Sequence, residues 1–313
     1  RPAALPVPGC DDPGLLTSDT ILAAPGAEAF DSLLVVGGGV IGVEMACVYA
    51  RLGVRVTILE MARNCLPMLD IDLSRGAEAI LRGLGVTLLT GCKLLAIARE
   101  GDGYAARYEK NGAEAAATAQ RVLLCTGRSP VADGAGDAAL AYNRRFVAVD
   151  AQYQTSVPGV YAIGDVNGIQ QLAHAAHAQG VAAVCHMLGQ EPPIDATLVP
   201  ACVYTSPEIA QVGLTQAQAK AEGREVLVCK ALTTGNARTM IEGLGRGFIK
   251  LVFDAQTRRL LGAQLLCGRA SDIVGELTAA IAGGLTAREL LRPLRAHPTF
   301  YEAITEAVES VEG

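Results

Sequence analysis

The chain has 313 residues, half of them hydrophobic, 19% charged and only 4% aromatic, with 35 glycines and a formal net charge of −6. That balance excludes disordered and fibrous proteins, and it supplies no basic footprint for nucleic acid or an anionic membrane. The length suits roughly two domains with sizeable cores, and so many glycines suit the tight turns of an α/β enzyme acting on a small molecule.

Residues 1–30 hold five prolines and three glycines with little periodicity, and read as an extended connector. No signal-peptide pattern opens the sequence. The longest apolar region, Leu33 to Ala50, is broken by glycines and Glu44, so it reads as strand plus helix and not as a membrane span. A cytoplasmic protein is the expectation.

The apolar run Leu33 to Val36 leads into Gly37-Gly38-Gly39-Val40-Ile41-Gly42, then a helical pattern from Val43 to Leu52 ending at Gly53, then a strand from Val54 to Leu59 that delivers Glu60. This is a dinucleotide fingerprint. One glycine allows the tight turn, one lets backbone approach a pyrophosphate, one lets helix pack on strand, and the helix N-terminus offers unpaired N–H donors. A carboxylate at Glu60 accepts hydrogen bonds from a ribose 2′-OH and repels a 2′-phosphate, which favours NAD over NADP.

Further along, Leu73 to Leu84 reads as a helix closed by Gly85, and Val86 to Leu89 as a strand. Alternating segments around Leu94 to Ile97, Tyr104 to Tyr108 and Ala115 to Ala119 suggest an antiparallel meander laid on a parallel sheet. Arg121 to Cys125 returns as a strand into Thr126-Gly127-Arg128, a second backbone turn at the nucleotide crevice. Val160 to Ile163 reads as a short strand ending in Gly164-Asp165, and Leu172 to Met187 as a helix. From Leu198 onward, strands at Ala201 to Tyr204, Glu225 to Ala231, Gly247 to Phe253 and Gly262 to Leu266 mix with helices at Thr215 to Glu222, Ser271 to Ala282 and Ala287 to Leu291, an α+β pattern without a glycine fingerprint.

Chemistry-bearing residues are few. The nine cysteines lie no closer than 17 residues apart, which excludes a CxxC or CxxxxC pair and a local zinc knuckle. His174, His177 and His186 lack a convincing further ligand, so no metal site is expected. His297 and Glu302 form an acid–base candidate, since a carboxylate fixes an imidazole's tautomer and raises its basicity. Thr299-Phe300-Tyr301-Glu302 equally fits a helix capping box. Asp165 fits an ordinary turn and Glu44 an acid favoured in a first helical turn.

Taken in order, Gly37 to Glu44, Thr126-Gly127-Arg128, Tyr161-Ala162-Ile163-Gly164-Asp165-Val166, Leu172-Ala173-His174, Tyr204-Thr205-Ser206-Pro207-Glu208 and His297-Pro298-Thr299-Phe300-Tyr301-Glu302 resemble the flavin-dependent pyridine nucleotide disulfide reductases, and within them the dihydrolipoamide dehydrogenases. The resemblance implies a connector over residues 1–30, a Rossmann-like NAD-binding domain with its meander over 31–152, a partial flavin domain over 153–195, and an α+β dimerisation domain over 196–313. It implies NAD contacts at Gly37, Gly38, Gly39, Val40, Ile41, Gly42, Glu44, Glu60, Leu94 and Gly127, and flavin contacts at Asp165, Gln171, Leu172, Ala173 and His174. His297 with Glu302 would be the base, reaching into the partner's active site of a homodimer. The implied reaction oxidises a dihydrolipoyl group of a 2-oxoacid dehydrogenase or glycine cleavage component with NAD⁺, through FAD and a redox disulfide.

Departures from the family pattern shape the expectation. The first flavin fingerprint, the CxxxxC pair and the lysine beside the flavin are absent from this sequence, and Arg295 stands where the family usually has a second histidine. The chain therefore reads as lacking an N-terminal third, with FAD held weakly or not at all and no turnover alone. A reductase of another disulfide and a non-catalytic NAD-binding dimer remain as alternatives, Glu60 counting against the first and His297 against the second.

Overall fold

The computed structural model describes residues 1–23, 30–133, 136 and 139–312. Residues 24–29 of the expected connector, 134, 135, 137 and 138 of the expected NAD-binding domain, and Gly313 lie outside the described residues. Two compact units emerge, one of Pro2–Gly127 with Pro200–Gly313, the other of Arg1 with Arg128–Val199.

The larger unit begins with β1 (Leu16–Thr17) and α1 (Ser18–Ala23), followed by β2 (Ser32–Val36), α2 (Val40–Arg51), β3 (Arg55–Glu60), α3 (Ile71–Gly83) and β4 (Thr87–Thr90). The meander is β5 (Cys92–Glu100), β6 (Gly103–Lys110) and β7 (Ala113–Ala119), and the chain re-enters the first sheet as β8 (Arg121–Leu124). That sheet is parallel, in the order β1-β8-β2-β3-β4. The expected connector thus contributes an edge strand, Leu16 pairing with Leu123. Two residues are too few to leave a periodic trace in the sequence.

Every apolar residue of β2 is buried, as a central parallel strand requires. Strict alternation divides them between the two faces. Leu33 and Val35 join Val43, Ala46, Ala77 and Leu81 under α2 and α3, whereas Leu34 and Val36 join Ile97, Tyr104 and Ala106 under the meander. The sheet is therefore covered by helices on one side and by antiparallel strands on the other.

The smaller unit holds the two-stranded pair β9 (Tyr142–Asn143) and β10 (Phe146–Val147), and the helix α4 (Ala173–Met187). Val160 to Ile163 does not form the expected strand. Among the described residues it finds only the bridge Gln154↔Tyr161, with no neighbouring strand to extend a ladder.

Returning to the larger unit, β11 (Ala201–Val203), β12 (Glu208–Gly213), α5 (Gln216–Ala221), β13 (Val226–Leu232), α6 (Ala237–Ile241), β14 (Phe248–Asp254), β15 (Leu260–Cys267), α7 (Ala270–Ala282), α8 (Ala287–Leu290) and α9 (Glu302–Glu312) follow. The five strands form an antiparallel sheet, β11-β12-β15-β14-β13, with α7 on β12 and β15 and α9 on β13 and β14. Neither β12 nor α6 is anticipated by the sequence, because Pro207 signals a turn and five residues make a poor helical period. Val203, Ile209, Phe248 and Leu266 share one core cluster with Leu33, Val43 and Leu81, so the two sheets of this unit bury a common core.

Candidate functional site

In the larger unit, the glycine loop follows β2 and the Thr126-Gly127 turn follows β8. These strands are neighbours, but the chain leaves β2 for β3 on one side and returns as β8 on the other. The two loops therefore flank a topological switch point, where open parallel sheets form a crevice.

The three fingerprint glycines do three separable jobs. Gly37 has φ +109°, and a Cβ there would stand 2.5 Å from Cys125 O, so the residue both turns the chain and lets the two loops touch. A Cβ on Gly42 would run into Gly37 O and meet Val35, so this position allows α2 to sit against β2. At Gly39 a Cβ would meet nothing within 4 Å. That open face is where a ligand's backbone approach needs no side chain. Gly39 is also the N-cap of α2 and supplies no side-chain cap, which leaves the first-turn N–H groups around Val40 and Ile41 without the acceptor a Ser or Asp would provide.

Glu60 ends β3 beside this loop. Its Oε2 accepts from Gly38 N–H at 2.5 Å and its Oε1 from Ala62 N–H at 2.6 Å, tying the acid to the loop. Each carboxylate oxygen keeps acceptor capacity for a further donor. Behind it, Glu78 accepts from Cys65 N and Asn64 Nδ2, both at 3.2 Å, and bonds Arg82 at 3.0 Å, which anchors the 61–70 segment. Gly127 has φ +105° with open space at its Cβ position.

Glu44 and Leu94 sit differently from the loop residues. Glu44 Oε1 accepts from Tyr204 N–H at 2.9 Å, joining α2 to the segment after β11. Burial raises its pKa, opposed by that hydrogen bond. Leu94 is a core residue of the meander cluster.

A buried ionic cluster joins the same two sheets. Lys250 Nζ, on a side chain only 6% exposed, lies 2.9 Å from both Asp70 oxygens and 3.1 Å from Asp72 Oδ2, and Lys230 Nζ lies 3.2 Å from Asp72. Asp70 is also the N-cap of α3, accepting from Asp72 N–H. Burial acts to raise the Asp72 pKa, but hydrogen bonds and charges from Lys250 and Lys230 outweigh it and hold the carboxyl below its ordinary value.

His297 and Glu302 meet at 2.8 Å between Nδ1 and Oε1, while Glu302 Oε2 accepts from Thr299 N–H at 2.8 Å. One carboxylate oxygen thus meets the imidazole and the other ties down Thr299 N–H, but the capping box is incomplete, because Thr299 Oγ1 donates to Ala296 O and α9 itself begins at Glu302. The Thr299 N–H, then His297, lowers the Glu302 pKa. An ionised carboxylate only accepts, so Nδ1 carries the hydrogen, and in the neutral imidazole Nε2 is then the acceptor. The His297 side chain is 70% exposed. Asn236 Nδ2 donates to Thr299 O at 2.9 Å, and Arg295 bonds Glu276, Thr305 and Leu290 O, so buried groups hold this loop from two sides.

In the smaller unit, Asp165 is exposed in a single 3-10 turn at 164–166, and Gln171, Leu172, Ala173 and His174 mark the start of α4, whose N-cap Leu172 provides no side-chain cap. Buried Gln179 holds the turn, its Oε1 accepting from Gly164 N–H and from Asn167 Nδ2, both at 2.8 Å. His186 Nδ1 lies 2.8 Å from Tyr161 Oη. Among the described residues no three His, Cys, Asp or Glu side chains are arranged for a metal ion.

All nine cysteines are free thiols. Burial pushes Cys65, Cys125 and Cys267 up to about 12, and Cys47 and Cys229 up to about 11. Such groups are protonated at neutral pH and poor nucleophiles.

Several of these residues lay outside the sequence reading. Lys250 interrupts the apolar run Phe248 to Phe253, a signal that a buried charge needs a partner. Asn236, Gln179 and Glu78 gave no comparable sign.

Comparison with known proteins fits this geometry. Residues 1–180 match the model of the pyridine nucleotide-disulphide oxidoreductases, and residues 199–308 match the dimerisation domain of the same group. The chain is 36% identical to the dihydrolipoyl dehydrogenase of Bacillus subtilis over all of its own length and 67% of the relative's, and 38% identical to that of Chlorobaculum tepidum over 96% of its own length and 65% of the relative's. Among solved structures, LpdA from Mycobacterium tuberculosis superposes with TM-score 0.89 at 29% identity, covering 99% of this chain and 67% of that one. The HOCl-induced flavoprotein disulfide reductase RclA of Escherichia coli gives 0.86 at 28% identity, covering 99% and 72%. The chain thus spans about two thirds of the length of these relatives.

Proposed function

The chain belongs to the pyridine nucleotide-disulphide oxidoreductase family, and we propose that it carries the NAD-binding and base-bearing parts of a dihydrolipoyl dehydrogenase. The observation that supports this most directly is the pairing of an open Gly39 at an uncapped helix start with Glu60 hydrogen-bonded into the same loop. A pyrophosphate fits the first against α2, and a ribose diol fits the second. Gly127 completes the crevice from the β8 side. The exposed Asp165 turn and the start of α4, without a side-chain cap, provide a wall suited to a flavin.

When bound, nicotinamide and flavin supply the hydride and electron-pair chemistry that links NAD⁺ to a dithiol. The protein's own part is positional and acid–base. Glu60 selects the cofactor, the α2 N–H groups orient it, and His297, with Nδ1–H held on Glu302, offers Nε2 to take a proton from a dihydrolipoyl thiol. Exposure of that imidazole suits a site completed by a second subunit, and the dimerisation domain supports a homodimer.

Dihydrolipoyl oxidation also needs a neighbouring thiol pair to relay electrons. The cysteines here are dispersed, and burial keeps those near the glycine loop protonated. NAD⁺-dependent dihydrolipoamide oxidation by the purified 313-residue chain is therefore expected to be undetectable. Robust turnover would overturn this reading of the relay.

A further inference from the structure

Arg295 stands two residues before His297, and its role follows from where its guanidinium goes. The side chain is only 5% exposed. Its Nη2 donates to Glu276 Oε1 on α7 at 2.5 Å and to Leu290 O at the end of α8 at 3.1 Å, while Nη1 donates to Thr305 Oγ1 on α9 at 2.9 Å. Nε is buried without a hydrogen-bond partner. A buried cation with one orphaned donor is costly to keep unless its remaining bonds fix something.

Thr305 lies three residues after Glu302, one helical turn along α9, where side chains share a face. One end of Arg295 is thus the backbone that carries His297, and the other is the helix that carries Glu302. We propose that Arg295 is a positioning residue that sets the His297–Glu302 hydrogen bond, and through it the tautomer that leaves Nε2 free. This rests on the acid–base reading of His297. Lysine cannot take the place of arginine here, because a single ammonium lacks the planar fork that reaches Glu276, Leu290 O and Thr305 together.

The readout is the His297 tautomer, measured in the 313-residue chain by long-range ¹H–¹⁵N NMR of the imidazole nitrogens, with the signal assigned by its loss in His297→Ala. The unsubstituted chain is expected to show Nδ1–H with an unprotonated Nε2. In Arg295→Lys the population is expected to move toward Nε2–H, the form imidazole prefers in water. Should that variant fail to fold, Thr305→Val and Glu276→Gln each remove or weaken one arm at partly exposed sites and are expected to give the same shift in smaller measure. An Nδ1–H signature persisting in all folded variants would overturn the role of Arg295 while leaving the base reading intact. An unsubstituted chain already in the Nε2–H form would overturn both.

Discussion

Gly39 and Gly42 lie three residues apart in one loop, yet they predict opposite phenotypes. Ala at position 42 places its Cβ against Gly37 O, so Gly42→Ala should displace the loop or lower stability, an overpacking effect of about 1–3 kcal/mol. Ala at position 39 meets nothing and has an ordinary backbone conformation, so Gly39→Ala should leave thermal unfolding nearly unchanged while NAD binding falls about tenfold or more, roughly 1.4 kcal/mol. Calorimetry of both variants with NADH checks the pair; unchanged affinity in Gly39→Ala would remove the pyrophosphate from this position. Glu302 makes a similar distinction. Glu302→Ala should release His297 and cost about 1 kcal/mol for the lost Thr299 N–H hydrogen bond, whereas Glu302→Gln keeps an acceptor for Thr299 N–H and should lose mainly the fixed tautomer. The fingerprint residues were legible in the sequence because each job constrains residue type at a fixed spacing. Arg295 and Asn236 were not legible as supports, since their partners are 5 to 63 residues away in sequence and follow no local pattern.

At the scale of elements, α3 is attached to the antiparallel sheet through Lys250. Lys250→Met leaves Asp70, whose side chain is 4% exposed, as an uncompensated buried carboxylate, and breaking a buried pair in this way costs about 3–5 kcal/mol. Urea unfolding should show that loss, and a variant as stable as the parent would contradict the network. The pH dependence has a definite sign. The Asp72 pKa is lowered on folding from 3.8, so its contribution is present above the ordinary carboxylate range and disappears as pH falls through the folded value. Asp72→Asn should therefore lose less stability than the parent on acidification below pH 3.8, compared by urea midpoints. Element types were readable where periodicity ran long, as in α2, α3, α4 and α7. β1, β12 and α6 escaped because they are short or follow a turn signal, and Val160 to Ile163 misled because an apolar run becomes a strand only beside a partner strand.

For the whole molecule, the parallel sheet and the antiparallel sheet of the larger unit share one apolar core and one ionic cluster, so the Gly37–Gly42 loop and the His297 loop are built on a common scaffold. The α/β and α+β halves were visible in the sequence as a change from fingerprint to antiparallel alternation. Their mutual docking was not, because Lys250 and Asp70 are far apart in the chain and carry no local pattern. A single cofactor-binding measurement tests the resulting reading most directly: calorimetric titration of the chain with NADH and, separately, with NADPH. NADH is expected to bind at least about tenfold more tightly, a difference of roughly 1.4 kcal/mol, because Glu60 meets a hydroxyl in one and a phosphate in the other. Equal or tighter binding of NADPH, or binding of neither, would contradict the assignment of the Gly37–Glu60 crevice.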